Sequence, residues 1–254
     1  MQAFLAAPIS LQVIITIVSL LAFWTVTNGV YQVARKPVEL LWPISGLSKM
    51  PADTWRAYGR IFRKHSTEVI TPEFLAALAQ VEAAGDPIAR PDWQWYATWN
   101  PLEMYRPPSS AVGMYQITDG NFAAARRYCI HDHKVVEDGP WHQLDSCWFN
   151  SLYSRVVPTH AAEMTAAFLD RRVADILERH EIKQATLEQK QDLAALIHLC
   201  GAGAGSAYAR RGLRLTKGQR CGSHSVSAYL KRVNTMKNVF SAYQSKRQAV
   251  DPSK

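Results

Sequence analysis

Residues 71–85 read TPEFLAALAQVEAAG and predict one short helix. Thr71 offers an N-cap hydroxyl, and Pro72 suits the first helical position, where a backbone N–H is not needed. Gly85 permits a left-handed stop. We therefore expect a helix over 72–84.

The carboxylate of Glu82 lies in line with the apolar stripe of this helix. Leu75, Leu78 and Glu82 are separated by three and four positions, a spacing that places them on one helical face. A carboxyl group held against apolar surface keeps its proton more readily, which suits a general acid. The alternative is a glutamate at the rim of the stripe, with its tip in water or against an arginine.

A second motif follows the helix, Gly113-Met114-Tyr115-Gln116-Ile117. The order of helix, carboxylate, loop and this segment resembles the soluble lytic transglycosylase (SLT) family, whose members cleave the glycan strands of peptidoglycan. The resemblance implies a mainly α, lysozyme-like fold of the goose-type lysozyme kind. It also implies that Glu82 is the catalytic acid and then base, and that the five-residue segment binds substrate. Gln116 would line the glycan groove, with Met114 and Tyr115 shaping its floor.

A third segment, Cys200-Gly201-Ala202-Gly203-Ala204-Gly205, matches the family's Ala-Tyr-Asn-Ala-Gly type by its glycines. Cys200 and Gly201 stand where the family has tyrosine and asparagine, and Ala83 stands where it has serine. The family's tyrosine brings a phenol close to the acid. Tyr208 and Tyr115 are the candidates to replace it, and both are expected to bind substrate.

The stretch 92–108 makes the spacing between Glu82 and the second motif longer than in the family. It is rich in aromatic residues, namely Trp93, Trp95, Tyr96, Trp99 and Tyr105. Flat aromatic faces suit sugar rings, so one interpretation makes Trp95 and Trp99 walls of a glycan subsite. The other is a small hydrophobic cluster that holds a long loop down.

By the resemblance, one carboxylate suffices, because the N-acetyl group of the substrate stabilises the intermediate and its 6-hydroxyl closes a 1,6-anhydro ring. We therefore expect cleavage between N-acetylmuramic acid and N-acetylglucosamine without a cofactor. A hydrolytic muramidase would need a second carboxylate. The nearby candidates fit turns or caps better: Asp86, Asp92, Glu103 and Asp119. A further alternative is a noncatalytic scaffold that binds peptidoglycan.

The segment Ile9 to Val30 is long and apolar enough to cross a bilayer, and no charged residue precedes Arg35. We interpret it as an uncleaved inner-membrane anchor with the catalytic domain in the periplasm; a cleaved signal is the alternative. Arg35 and Lys36 oppose that orientation by the positive-inside tendency, but long domains are exported regardless of charge.

The four cysteines form an even set after the apolar segment, which favours disulfides in an exported domain. Three connectivities are possible, and the most local one pairs Cys129 with Cys147 and Cys200 with Cys221. Zinc is the sharper alternative, with His131, His133 and His142 as ligands. Because no Cys-x-x-Cys pair is present, we expect no metal.

Three helical stripes complete the chain and indicate a helical scaffold. They are Met164, Phe168, Leu169, Val173, Ile176 and Leu177; Leu187, Leu193, Leu196 and Ile197, opened by a Thr186/Gln189 capping box; and Val226, Tyr229, Leu230, Val233, Phe240 and Tyr243. His198 and Cys200, at the end of the second, are expected to be structural.

We therefore expect an anchor at 1–34, a linker with a leading helix at 35–69, a catalytic domain at 70–245 and a basic tail at 246–254. The net charge is +8, and the excess of Lys and Arg falls after Ser206. Such a face suits anionic wall polymers or lipid head groups, and we expect no nucleic acid as partner. The predicted partners are peptidoglycan and the inner membrane. By analogy, a trans-envelope secretion or conjugation complex joins them.

Overall fold

The computed structural model describes residues 8–37, 40, 46–140, 142–143 and 146–250. The chain forms two units: residues 1–45 with 91–109, and residues 46–90 with 110–254. Helices dominate, which confirms the mainly helical fold class. The predicted basic tail at 246–254 lies only partly within the described residues, since its last four positions are outside them.

The first unit contains one long helix, α1 (Ile9–Arg35), and the segment 91–109. Helix α1 is long and apolar enough to cross a membrane. The segment forms a short antiparallel pair of β1 (Gln94–Trp95) with β2 (Tyr105–Arg106), joined through a 3₁₀ turn at Pro101–Glu103. Helix α1 continues five residues beyond the predicted apolar span, to Arg35.

The second unit is a helical bundle with two hairpins. Its helices are α2 (Pro51–Lys64), α3 (Pro72–Ala83), α4 (Asp119–Ala125), α5 (Pro158–Arg179), α6 (Leu187–Arg210) and α7 (Val226–Val250). The hairpins pair β3 (Tyr128–His131) with β4 (Lys134–Glu137), and β5 (Arg220–Cys221) with β6 (His224–Ser225). A 3₁₀ helix, Trp148–Leu152, precedes α5.

Helix α3 lies at the centre of this bundle, packed between α2 and α7. Phe74, Leu75 and Leu78 on α3 are buried. Burial on nearly all sides explains why the helix is so rich in small and apolar residues: Ala76, Ala77 and Ala79 let neighbouring helices approach closely. The buried residues end at Ala79, so Glu82 lies at the partly exposed carboxyl end of a helix that is otherwise held in the core.

Local signals in the sequence have the predicted effect. Thr71 caps α3 by accepting a hydrogen bond from the N–H of Phe74 at 3.3 Å. Thr186 and Gln189 form the predicted capping box at the start of α6. That helix is interrupted at Gly201, whose φ of 80° and ψ of 169° kink it. Its two parts therefore point in different directions.

Both disulfides have the most local of the possible connectivities, Cys129–Cys147 and Cys200–Cys221. The first ties β3 to the turn before the 3₁₀ helix. The second ties α6, just before its kink, to β5. Among the described residues no cysteine is free. Disulfides persist in oxidising compartments, as expected for an exported protein.

Candidate active site

Glu82 lies in the last turn of α3. The helix ends at Ala83, one residue earlier than predicted, because Ala84 already adopts the left-handed conformation (φ 47°). Gly85 follows with φ 69°, and a Cβ atom there would lie 2.3 Å from Thr54 Oγ1. Only glycine fits this close approach, so the chain turns sharply away just after the carboxylate.

The carboxyl group of Glu82 is sheltered but not sealed. Its side chain is 17% exposed. The hydroxyl of Tyr229 donates a short hydrogen bond to Glu82 Oε1, and His198 Nε2 lies 3.7 Å from the same oxygen. The contacts of the acid with polar side chains thus converge on Oε1.

Tyr229 comes from α7, which packs along α3. Burial raises the pKa of this phenol well above its ordinary value, and the charge and hydrogen bond of Glu82 raise it further. Tyr229 therefore keeps its proton and remains a donor to the acid. Sequence analysis assigned it to a core stripe that also contains Phe240 and Tyr243, so nothing local distinguished Tyr229 as a partner of the acid.

His198 connects the acid to a small pocket. It lies on α6, one turn before the kink at Gly201. The pocket has a volume of about 20 Å³ and is lined by Ile117, Asn121, Ala125, Met164, Thr165, Phe168, Leu169 and His198. His198 is thus in contact with the acid on one side and shares a pocket with Ile117 of the second motif on the other.

The second motif is a tight loop whose backbone requires particular residues. Gly113 has φ 82°, and a Cβ atom there would lie 2.3 Å from the carbonyl oxygen of Arg155. Gln116 is left-handed as well, with φ 47°. Its side-chain nitrogen donates to the carbonyls of Gly113 at 2.9 Å and Ala89 at 3.1 Å. The amide of Gln116 therefore holds the loop in shape.

Arg155 holds the same loop from outside, and sequence analysis did not single it out. Its guanidinium donates to the carbonyl oxygens of Ser110 at 2.8 Å and Ile117 at 2.9 Å. It also pairs with Asp119 at 2.8 Å. One guanidinium group thus binds backbone carbonyl oxygens at both ends of the loop. A lone arginine before two valines carries no local signal for this role.

The other predicted site residues occupy different environments. Met114 and Tyr115 are fully buried beneath the loop. Tyr208 is also buried, which raises its pKa to about 12. Of the three tyrosines, Tyr229 is the one that bonds to Glu82. The predicted contacts of Met114, Tyr115 and Tyr208 with sugar stay predictions.

The two tryptophans predicted to contact sugar belong to the first unit. Trp95 stacks on Trp24 of α1, with ring centroids 5.6 Å apart. Trp99 is fully exposed. Their role in glycan binding stays a prediction.

Three of the four carboxylates considered as a second catalytic group have structural partners. Asp86 accepts hydrogen bonds from the N–H groups of Leu47 and Ile88. Asp119 pairs with Arg155. In the first unit, Glu103 pairs with Arg35. The contacts of Asp86 with backbone N–H groups match its predicted turn role, whereas Asp119 and Glu103 form ion pairs.

A separate buried carboxylate, Glu163 on α5, organises the other side of the second unit. It accepts hydrogen bonds from Tyr153 Oη at 2.7 Å and the N–H of Ile130 at 3.0 Å. His65 Nδ1 lies 3.5 Å away. Burial lowers the pKa of His65, and this outweighs the raising effect of Glu163. The cluster joins α2, β3 and α5.

Within the described ranges, no three His, Cys, Asp or Glu side chains are grouped so that they would hold a metal ion. His133, one of the considered ligands, instead lies 2.8 Å from the carbonyl oxygen of Ser66. Comparison of the chain with protein-family models, with curated proteins and with solved structures finds no match.

Proposed function

We propose that this protein is a lytic transglycosylase with a lysozyme-like catalytic unit that cleaves peptidoglycan between N-acetylmuramic acid and N-acetylglucosamine. The observation that carries the proposal is the environment of Glu82. A sheltered carboxyl group at the end of a rigid central helix, with a phenol donating to one of its oxygens, suits a general acid.

The mechanism that we propose gives separate tasks to the two oxygens of Glu82. Oε1 accepts the hydrogen bond from Tyr229, and Oε2 is the oxygen that delivers the proton. In the first step Oε2 donates this proton to the glycosidic oxygen, which makes the departing sugar a better leaving group. The carboxylate that remains is stabilised by Tyr229 and then accepts the proton of the 6-hydroxyl as the anhydro ring closes.

A single carboxylate agrees with the contacts around the acid. The polar side chains that contact Glu82 are a phenol and an imidazole, while Asp86 and Asp119 are engaged elsewhere. With Glu82 as the single catalytic carboxylate, as the family resemblance implies, the N-acetyl group of the substrate stabilises the cationic intermediate, and the 6-hydroxyl closes the anhydro ring without water.

The motif loop contributes position rather than chemistry. Gly113 and Gln116 adopt left-handed conformations that Arg155 and the Gln116 amide hold in place. Ile117 reaches the pocket that His198 lines. We place the glycan along this loop, next to Glu82, as the family resemblance implies.

Location and partners are part of the same proposal. The apolar helix α1 and the two disulfides support an inner-membrane protein with its catalytic unit in the periplasm, where peptidoglycan lies. Service to a secretion or conjugation apparatus rests on analogy with specialised members of the family.

The test is digestion of purified sacculi by the full-length protein in detergent, with the soluble products identified by mass spectrometry. The wild type should release muropeptides with 1,6-anhydro ends. Glu82→Gln should release none, because an amide cannot donate the required proton. Glu73→Gln, in the first turn of the same helix, is the matched control and should retain activity.

Other outcomes would contradict the proposal in distinguishable ways. Reducing ends without anhydro sugars would identify a muramidase. Sacculus binding without product release by any variant would identify a noncatalytic scaffold. Equal release by the wild type and Glu82→Gln would remove Glu82 as the acid.

A further inference from the structure

The second half of α1 has two different faces. Phe23, Val26 and Val30, spaced by three and four, are 71%, 65% and 64% exposed. Trp24, Asn28 and Gln32, spaced by four, lie on the other face, where Asn28 and Gln32 are each only 2% exposed. Buried polar residues in an apolar helix require protein partners. The partner here is the segment 91–109 of the same unit.

Each residue of this polar stripe donates a hydrogen bond to the backbone of the segment. Trp24 Nε1 donates to the carbonyl of Pro101 at 3.0 Å, and Asn28 Nδ2 donates to that of Tyr105 at 2.9 Å. Gln32 Nε2 donates to the carbonyl of Leu102 at 2.7 Å. Irregular backbone at membrane depth is stable only when protein groups satisfy it. The stripe therefore allows this segment to lie beside a membrane helix.

Aromatic rings extend from the same contact. Trp95 stacks on Trp24 with an interplanar angle of 13°, and its ring centroid lies 4.8 Å from that of Tyr105. Trp95 is nevertheless 65% exposed and Trp99 is completely exposed. Tryptophan and tyrosine concentrate where a bilayer meets water, because their rings have an apolar body and a polar edge.

Charged groups follow at the carboxyl end of α1. Arg35 pairs with Glu103, which also accepts from Tyr31 Oη at 3.2 Å and pairs with Arg106 at 3.2 Å. Polarity thus rises along the helix, from apolar residues through aromatic rings and amides to an ion-pair network. This order is the one found between the hydrocarbon core of a bilayer and the aqueous phase.

We propose that residues 91–109 form a membrane-interface element that docks on the anchor helix and places Trp95 and Trp99 in the headgroup region of a phospholipid bilayer. The apolar face through Val30 contacts lipid, while the opposite face binds the element.

The polar stripe of α1 also bears on whether the apolar segment is cleaved. A cleaved signal peptide would remove Trp24, Asn28 and Gln32 and leave the carbonyls of Pro101, Leu102 and Tyr105 without these donors. The folded protein therefore retains α1. This role is independent of catalysis, since it concerns lipid and the anchor rather than glycan and Glu82.

The docking contact is tested by hydrogen exchange on the full-length protein in phospholipid nanodiscs. Asn28→Leu combined with Gln32→Leu keeps α1 apolar but removes two donors, and amides of 91–109 should exchange about tenfold faster. The control is Val26→Leu combined with Val30→Leu on the exposed face, which should exchange as the wild type does. Unchanged exchange in the first variant would overturn the docking.

The lipid contact is tested by quenching of tryptophan fluorescence in liposomes. The emission lost on replacing Trp99 with Phe is the contribution of Trp99, one of eight tryptophans. Lipids with a nitroxide near the headgroup should quench this contribution more strongly than lipids labelled at the chain end. No quenching by either lipid, or quenching mainly by the deep label, would overturn the placement at the interface.

A third arm separates lipid from sugar. Soluble glycan fragments should leave the Trp99 contribution unchanged in the Glu82→Gln background, where substrate survives. A glycan-dependent change without lipid quenching would assign Trp99 to a sugar subsite and overturn the inference. The mature protein should also have the intact mass that includes α1. A mass lacking the residues up to Gln32 would overturn it as well.

Discussion

Tyr229 on α7 donates a hydrogen bond to Glu82 at the end of α3, across 147 positions of sequence. The hydrogen bond and the imidazole of His198 both meet Glu82 at Oε1. Under the proposed function, the phenol of Tyr229 takes the place of the tyrosine of the family's third motif, where this chain has Cys200 in a disulfide.

Tyr229→Phe should lower kcat by about 10- to 100-fold, because a hydrogen bond to a charged group contributes about 1.5–3 kcal/mol. The ring still fills its buried position, so the fold should persist. Steady-state release of anhydro-muropeptides measures the effect. Tyr243→Phe, on the same helix, is the control and should retain wild-type kcat. A Tyr229→Phe enzyme with unchanged kcat would contradict the assigned role.

Alanine substitutions at Gly113 and Gly203 should have different effects on stability, because the first position is sterically crowded and the second is open. Gly113→Ala should lower the free energy of unfolding by about 2 kcal/mol or more, because the residue is left-handed and its Cβ would meet the Arg155 carbonyl. Gly203→Ala should be neutral or stabilising by up to about 1 kcal/mol, since its helical position is open. Urea denaturation measures both. Equal effects would contradict the loop geometry.

Stability should depend on pH through His65. Its pKa is lowered in the folded protein from 6.5, mainly by burial, so protonation favours the unfolded state. The contribution of neutral His65 to the free energy of unfolding is fully present above pH 6.5 and is lost as the pH falls below that value. The melting temperature should therefore decrease as the pH is lowered from about 7 to about 5.

His65→Gln should reduce this pH dependence, leaving the part due to His160, whose pKa burial also lowers. His224→Gln, at an exposed hairpin position, should leave the dependence unchanged. Thermal melts of the three proteins across the pH range make the comparison. A wild-type melting temperature that rises as the pH falls would have the wrong sign for this mechanism.

The disulfide at the kink of α6 should contribute substantially to stability. Cys200→Ala combined with Cys221→Ala opens a loop of 21 positions and should lower the free energy of unfolding by about 3 kcal/mol. Chemical denaturation of the variant against the oxidised wild type measures the loss. An unchanged midpoint would show that the folded helix ends constrain the chain without the bond.

Features with local causes could be predicted from the sequence. The cap at Thr71, the capping box at Thr186, the stripe that aligns Glu82 and the two disulfide pairings all depend on residues close together in the chain. The observed end of α3, Ala83, lies one residue before the predicted end, because Ala84 adopts the left-handed conformation before Gly85 does.

The amino-acid sequence by itself determined the helical scaffold, the apolar helix long enough to cross a membrane and the position of the carboxylate, since these follow from periodicity and from the chemistry of neighbouring residues. Only the tertiary structure decided what surrounds that carboxylate. Tyr229, His198 and Arg155 reach their partners through packing between distant helices, and the polar stripe of α1 meets the aromatic segment through long-range contacts. Such pairings leave no local signal, because their energy arises only when the whole chain is folded.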